Sequence, residues 1–240
     1  MSTTSPIRHD TAASPAHPPA PESGRLGSLT RIGGIAALVE AATFVVGIAL
    51  FATVLSDYAT GDPTPAESVS FVVDNQGALY AWYLITLIVF GIALVPLALA
   101  LHRRIRDAGG LAQTATAFGV IWSGLILATG MIDNIGLGVV SDLADTDPTQ
   151  AEAVWSSLDA ITNGLGGGNE LAGGIWVLLV SVAALQTRAL PRSLNVLGIV
   201  SAAAGLVTVV PGLEDVGLIF GLGLIVWFTW LGAVLVRSER

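Results

Sequence analysis

The chain contains no cysteine and no lysine, and two of its three histidines, His9 and His17, fall in the first 20 of 240 residues. The missing cysteine excludes disulfides, thiol nucleophiles and thiolate metal sites. Without lysine, a phosphate-binding loop of the Gly-Lys-Ser/Thr type cannot be built. Charge is also scarce. Only 12% of residues are charged, against roughly a quarter in an ordinary soluble chain. Apolar residues make up 53%, and the mean hydropathy is +0.75. Water is the wrong solvent for such a surface.

The apolar residues fall into six runs, predicted as membrane spans at about 32–55, 79–101, 114–140, 168–186, 194–210 and 216–236. Before them, residues 1–28 are rich in Pro, Ser, Thr and Ala without apolar periodicity, and read as a disordered tail. Residues 29–240 form the six-span domain. All ten cations are arginines, and their placement sets the orientation. Arg8, Arg25 and Arg31 precede the first span, Arg103, Arg104 and Arg106 follow the second, Arg188 and Arg192 the fourth, and Arg237 and Arg240 the sixth. Six crossings put every one of them on a single side, expected to be the cytoplasmic side of a prokaryotic plasma membrane, with both termini there. The opposite loops carry Asp57, Asp62, Glu67 and Asp74, then Asp142, Asp145, Asp147, Glu152 and Asp159, then Glu214 and Asp215, with no cation.

An internal repeat underlies the layout. Residues 56–74, SDYATGDPTPAESVSFVVD, match residues 141–159, SDLADTDPTQAEAVWSSLD, at ten of nineteen positions without a gap. The fold class expected is therefore an all-α polytopic bundle of three same-direction hairpins. Each long loop also carries a helix start: Thr64-Pro65-Ala66-Glu67 and Asp147-Pro148-Thr149-Gln150 combine a capping side chain with a proline at the first helical position. Two short amphipathic outer helices follow from these signals.

The stretch 163–174, NGLGGGNELAGG, tests whether the chain is a nucleotide enzyme. A dinucleotide fingerprint fails, because Asn169 stands where its third glycine is required. Read as helix, Gly164, Gly168 and Ala172 sit at the four-residue spacing that lets membrane helices approach closely, and Gly217 and Gly221 repeat it in the sixth span. Within this stretch Glu170 lies 18 residues before Arg188, roughly 27 Å away along a helix and so near the outer interface. It is either a carboxylate reaching for water or part of a pocket.

Glu40 stands deeper, nine residues past Arg31 and roughly 13 Å into the bilayer. A carboxyl group at that depth is either functional or hydrogen-bonded to a neighbouring helix. Asp133 and Asn134, in the outer half of the third span, could join Asn169 and Glu170 in an acidic, amide-rich pocket. Tyr80, Trp82 and Tyr83 at the second span, and Trp227 and Trp230 at the sixth, read as an aromatic belt. Pro96 is expected to kink the second span. His102, beside Arg103 and Arg104, reads as a headgroup-facing residue. No HExxH, paired membrane histidines or Gly-x-Ser-Gly is present, so no enzymatic activity, cofactor or metal is expected.

The runs NGLGGGNELAGGIWVLLVS, ALPRSLNVLGIVSAAAGLVTVVPGLE and GLIFGLGLIVWFTWLG resemble bacterial six-span integral membrane proteins catalogued as a domain of unknown function, over Arg31 to about Ser238. The resemblance implies the fold and supplies no activity. Three functions remain open: a small-solute or proton-linked transporter using Glu40, Asp133 and Glu170, a non-catalytic membrane partner or stress-related subunit, and an intramembrane lipid-modifying enzyme. The partners expected are the lipid bilayer and a further copy or another membrane protein, with no nucleic acid.

Overall fold

The computed structural model describes residues 22–55, 63–167, 170–210, 212–213 and 216–238. Helix α1 spans Glu22–Leu50 and ends in a π-helical turn, Phe51–Leu55. The helix starts at Glu22, within the expected tail, and the apolar span it carries is Leu29–Val54. Helix α2 spans Pro65–Asp74, and α3 spans Gln76–Ala108 with a π-helical stretch at Leu84–Val89. Helices α4, Gly110–Ala144, and α5, Pro148–Thr162, follow. The chain continues π-helical over Asn163–Gly167 and resumes as α6, Glu170–Thr187, then α7, Arg192–Val207, and α8, Gly217–Arg237. Among the described residues there is no strand.

This is a polytopic membrane helix bundle. Among the described residues, five helices are long and apolar enough to cross a bilayer, and α7 is a shorter apolar helix. Its 16 residues reach about 24 Å at 1.5 Å per residue. Large side chains such as Ile92, Ile135 and Leu218 face outward, as a surface in lipid requires. Each crossing helix packs on its neighbours in sequence, and α8 packs back on α1, closing a ring. The hairpins α1/α3 and α4/α6 each carry an extra helix in their connection, and α7/α8 is the shorter third.

The described arginines gather at one end. Arg104 fixes that end by donating from Nε to Ala189 O at 3.1 Å and from Nη1 to Ser238 Oγ at 3.2 Å, tying α3 to the α6–α7 turn and the end of α8. At the other end, the carboxylate end, α4 is decisive. Its 35 residues make about 52 Å of helix, well beyond a hydrocarbon core of about 30 Å. The overhang carries a second apolar cluster, in which α2 and α5 pack on each other and on α4 through Val69, Val72, Leu137, Val140 and Ala151.

Both short helices begin as their sequences require. Thr64 Oγ1 accepts from the Glu67 amide while Glu67 Oε2 accepts from the Thr64 amide at 2.8 Å, a complete capping box. Asp147 accepts from the Gln150 amide at 3.1 Å. The Thr64 amide and hydroxyl hold the Glu67 carboxyl below the ordinary carboxylate range.

Two aromatic expectations change. Trp227 is not at an interface: it is fully buried, and with Phe44, Phe90, Trp122, Trp176 and Phe228 it fills the bundle centre. Each central tryptophan lies across a glycine of a neighbouring helix. A methyl on Gly173 would come 2.6 Å from Trp122, on Gly119 2.6 Å from Trp176, and on Gly198 2.7 Å from Trp227. His102 turns inward as well, its Nδ1 lying 2.8 Å from Thr116 Oγ1 on α4.

Candidate functional site

Small residues set how close the helices come. At the arginine end, a methyl on Gly33 would collide with Ala100 of α3, and one on Gly34 would come 2.8 Å from Val236 of α8. A methyl on Gly232 would meet Leu38 at 2.7 Å. These contacts seal α1 against both neighbours.

Seven residues along α1 lies Glu40, and seven further lies Gly47, which abuts Thr86 of α3. The antiparallel register therefore sets Glu40 opposite the stretch of α3 around Ala93. Glu40 is fully buried, and neither carboxyl oxygen has a hydrogen-bond partner among the described residues. Apolar neighbours on α1 surround it in sequence: Ala36, Ala37 and Ala41 all belong to the core.

Toward the carboxylate end the bundle opens. Directly above Glu40, Thr43 and Phe44 begin the wall of a cavity of about 440 Å³, bounded by α1, α3, α4 and α8 and by Glu170 of α6. Phe44, Phe90 and Trp122 belong both to the central aromatic group and to this wall, so that group is its floor. A second cavity of about 170 Å³ lies beneath the α2–α5 cap and holds Asp133, Asp159 and Thr162. Phe51 and Trp82 line both and form the partition between them.

Of the predicted polar residues, Glu40, Asp133 and Glu170 therefore do not converge. Glu170 faces the larger cavity, Asp133 the smaller, and Glu40 neither. Asn134 spends its amide on its own helix, donating to Gly130 O at 2.7 Å. Asn169 and Gly168 lie outside the described residues. Of the predicted packing residues, Ala172 packs against the core, whereas Gly164 has no atom within 4 Å of where a Cβ would stand. Gly217 and Gly221 line the larger cavity, and Gly217 leaves room for Glu170, whose Oε1 would lie 3.2 Å from a methyl there. The glycine spacing is real, but these positions make space for a cavity and a carboxylate.

Two cavity walls carry a feature that composition does not signal. The π-helical stretches hold Phe51 in α1 and Thr86 and Leu87 in α3, all of which line the larger cavity. Such turns widen a helix locally and recur at functional sites. Among the described residues no group of three metal-ligating side chains occurs.

The sequence model of one family, described as a domain of unknown function (DUF4386), matches residues 32–237. The chain belongs to this family. No curated protein and no solved structure matches it. The matched region runs from the start of the sealed α1 contact to the last residue of α8, and so takes in both cavities and Glu40.

Proposed function

We propose that this DUF4386 chain is a proton-linked carrier of small solutes in a prokaryotic cytoplasmic membrane, with the arginine end in the cytoplasm and the cavities facing outward. The observation that supports it is Glu40, buried and unpartnered one turn below the floor of a cavity. An ionised carboxylate left unpaired at that depth costs several kcal/mol. A proton removes the cost, and movement of the group into water returns the proton. A group sealed from both faces in one state is what alternating access to a proton requires. The arginine distribution supports the orientation. The reading involves no catalytic step, cofactor or metal.

The test is proton movement in vesicles containing the purified protein and a trapped pH dye, on adding a panel of amino acids, sugars and organic cations. At least one solute is expected to evoke proton uptake, and Glu40→Gln to abolish it while unfolding as the parent does. Equal uptake by Glu40→Gln, or none with any solute, contradicts the proposal. In the latter case a non-catalytic partner subunit is the better reading, and a stoichiometric membrane protein or second copy should co-purify.

A further inference from the structure

We infer that the larger cavity is a binding site for a monovalent lipophilic organic cation. The inference rests on the carrier reading only for what happens after binding; the site itself rests on its walls.

At about 440 Å³ the cavity is of the size that takes a compact organic molecule. Its lining is mostly aromatic and aliphatic, with Phe44, Phe51, Trp82, Phe90, Trp122 and Phe220 presenting rings. What decides the class is the state of the polar groups. The Thr43 hydroxyl donates to Glu40 O at 2.8 Å, the Thr86 hydroxyl to Trp82 O at 2.7 Å, and the Trp82 indole to Gly47 O at 3.3 Å. The Trp122 indole N–H is buried away from the space. Among the described residues, every side-chain donor in the wall is therefore spent or hidden. A phosphate or an amino-acid carboxylate would find no described side-chain donor, and a sugar would find only the Glu170 carboxylate to accept from it.

Among the described residues, the Glu170 carboxylate is the one charged group in the wall. The first turn of α8 offers the other electrostatic feature, a helix N-terminus worth about half a positive charge. Glu170 stands against it at Gly217, so a full negative charge faces a half positive one and the balance is negative. No lysine exists in the chain, and the described arginines lie at the far end. Ring faces add to the attraction, since aromatic quadrupoles favour a cation, by about 0.5–2 kcal/mol each when close and desolvated. One carboxylate matches one positive charge, and the apolar wall matches a hydrocarbon body.

The experiment uses full-length protein in lipid nanodiscs, with tetraphenylphosphonium as the cation and tetraphenylborate as an anion of the same shape. Binding is measured by equilibrium dialysis against empty nanodiscs. Saturable tetraphenylphosphonium binding is expected, weakened roughly tenfold or more in Glu170→Gln by loss of the ion pair, and tetraphenylborate, dialysed separately, is expected to show no saturable binding. Gly221→Leu, which fills the cavity without touching the charge, should remove binding even if Glu170→Gln proves unstable. The site is read from binding alone, so failure of proton coupling leaves it standing. Absence of saturable tetraphenylphosphonium binding in the parent, unchanged affinity in Glu170→Gln, or equally tight saturable binding of tetraphenylborate in its separate dialysis overturns the site, whatever the vesicles show of proton flux.

Discussion

The arginine end and the carboxylate end of the same bundle are built on opposite principles. At the arginine end, Gly33, Gly34 and Gly232 bring α1, α3 and α8 into direct backbone contact, and Arg104 ties three segments together. At the carboxylate end, aromatic side chains and π-helical turns hold the same helices apart around two cavities. Glycine therefore does different work at the two ends. Gly34 admits another helix, whereas Gly217 admits the Glu170 carboxylate and Gly221 admits open space. Glu40 lies just on the sealed side of the boundary, and the aromatic floor is the boundary itself.

The comparison breaks most visibly at its centre. Trp176→Ala removes a fully buried ring that touches Trp122, Trp227 and Phe228, and should cost about 3–5 kcal/mol in detergent unfolding. A loss under about 1 kcal/mol would mean the floor is loosely packed. Next in size, Gly34→Leu forces a side chain against Val236 and should cost about 1–3 kcal/mol or more. Gly221→Leu should leave stability nearly unchanged, because a methyl there meets only Phe44, at 3.9 Å. Equal losses in these two variants would erase the distinction between the ends.

Glu40→Leu sharpens it further. Replacing an unpartnered buried carboxyl by an apolar side chain of similar size should leave stability within about 1 kcal/mol or raise it, while proton coupling is lost. A large destabilisation would show that Glu40 has a structural partner. The smallest effect concerns α2. Because Thr64 holds the folded Glu67 pKa below its unfolded value, the stabilisation is present above the ordinary carboxylate range, near pH 4.3, and fades as pH falls through the lower folded value. Hydrogen-exchange protection of the first turn of α2 should fall over that acid range in the parent and be flat in Glu67→Gln.

The crossings, the capped short helices and the hairpin order were legible because each depends on local composition: twenty apolar residues, a Thr-Pro-x-Glu start, a duplicated loop. Convergence was not. Asp133, Glu40 and Glu170 sit on three different helices, and which cavity each meets depends on helix rotation that no spacing within one helix reports. Trp227 misleads for a related reason, since an indole on an apolar helix suits lipid, interface or core equally until the neighbour is known. Here the neighbour is Gly198, which leaves the ring room to turn inward. The glycines at 217 and 221 had the right spacing for contact, but α6 presents them a carboxylate at Gly217 and α1 leaves a cavity at Gly221.

The absence of cysteine makes the most direct test simple, because each single-cysteine variant carries one thiol. Thr86→Cys lies in the cavity wall, Ala37→Cys in the sealed α1 contact and Ala189→Cys in the α6–α7 turn at the arginine end. With a small, membrane-impermeant thiol reagent added to intact cells, Thr86→Cys should react, Ala37→Cys should not, and Ala189→Cys should react only after the membrane is opened. Reaction of Ala37→Cys as fast as Thr86→Cys, or of Ala189→Cys in intact cells, would contradict the account.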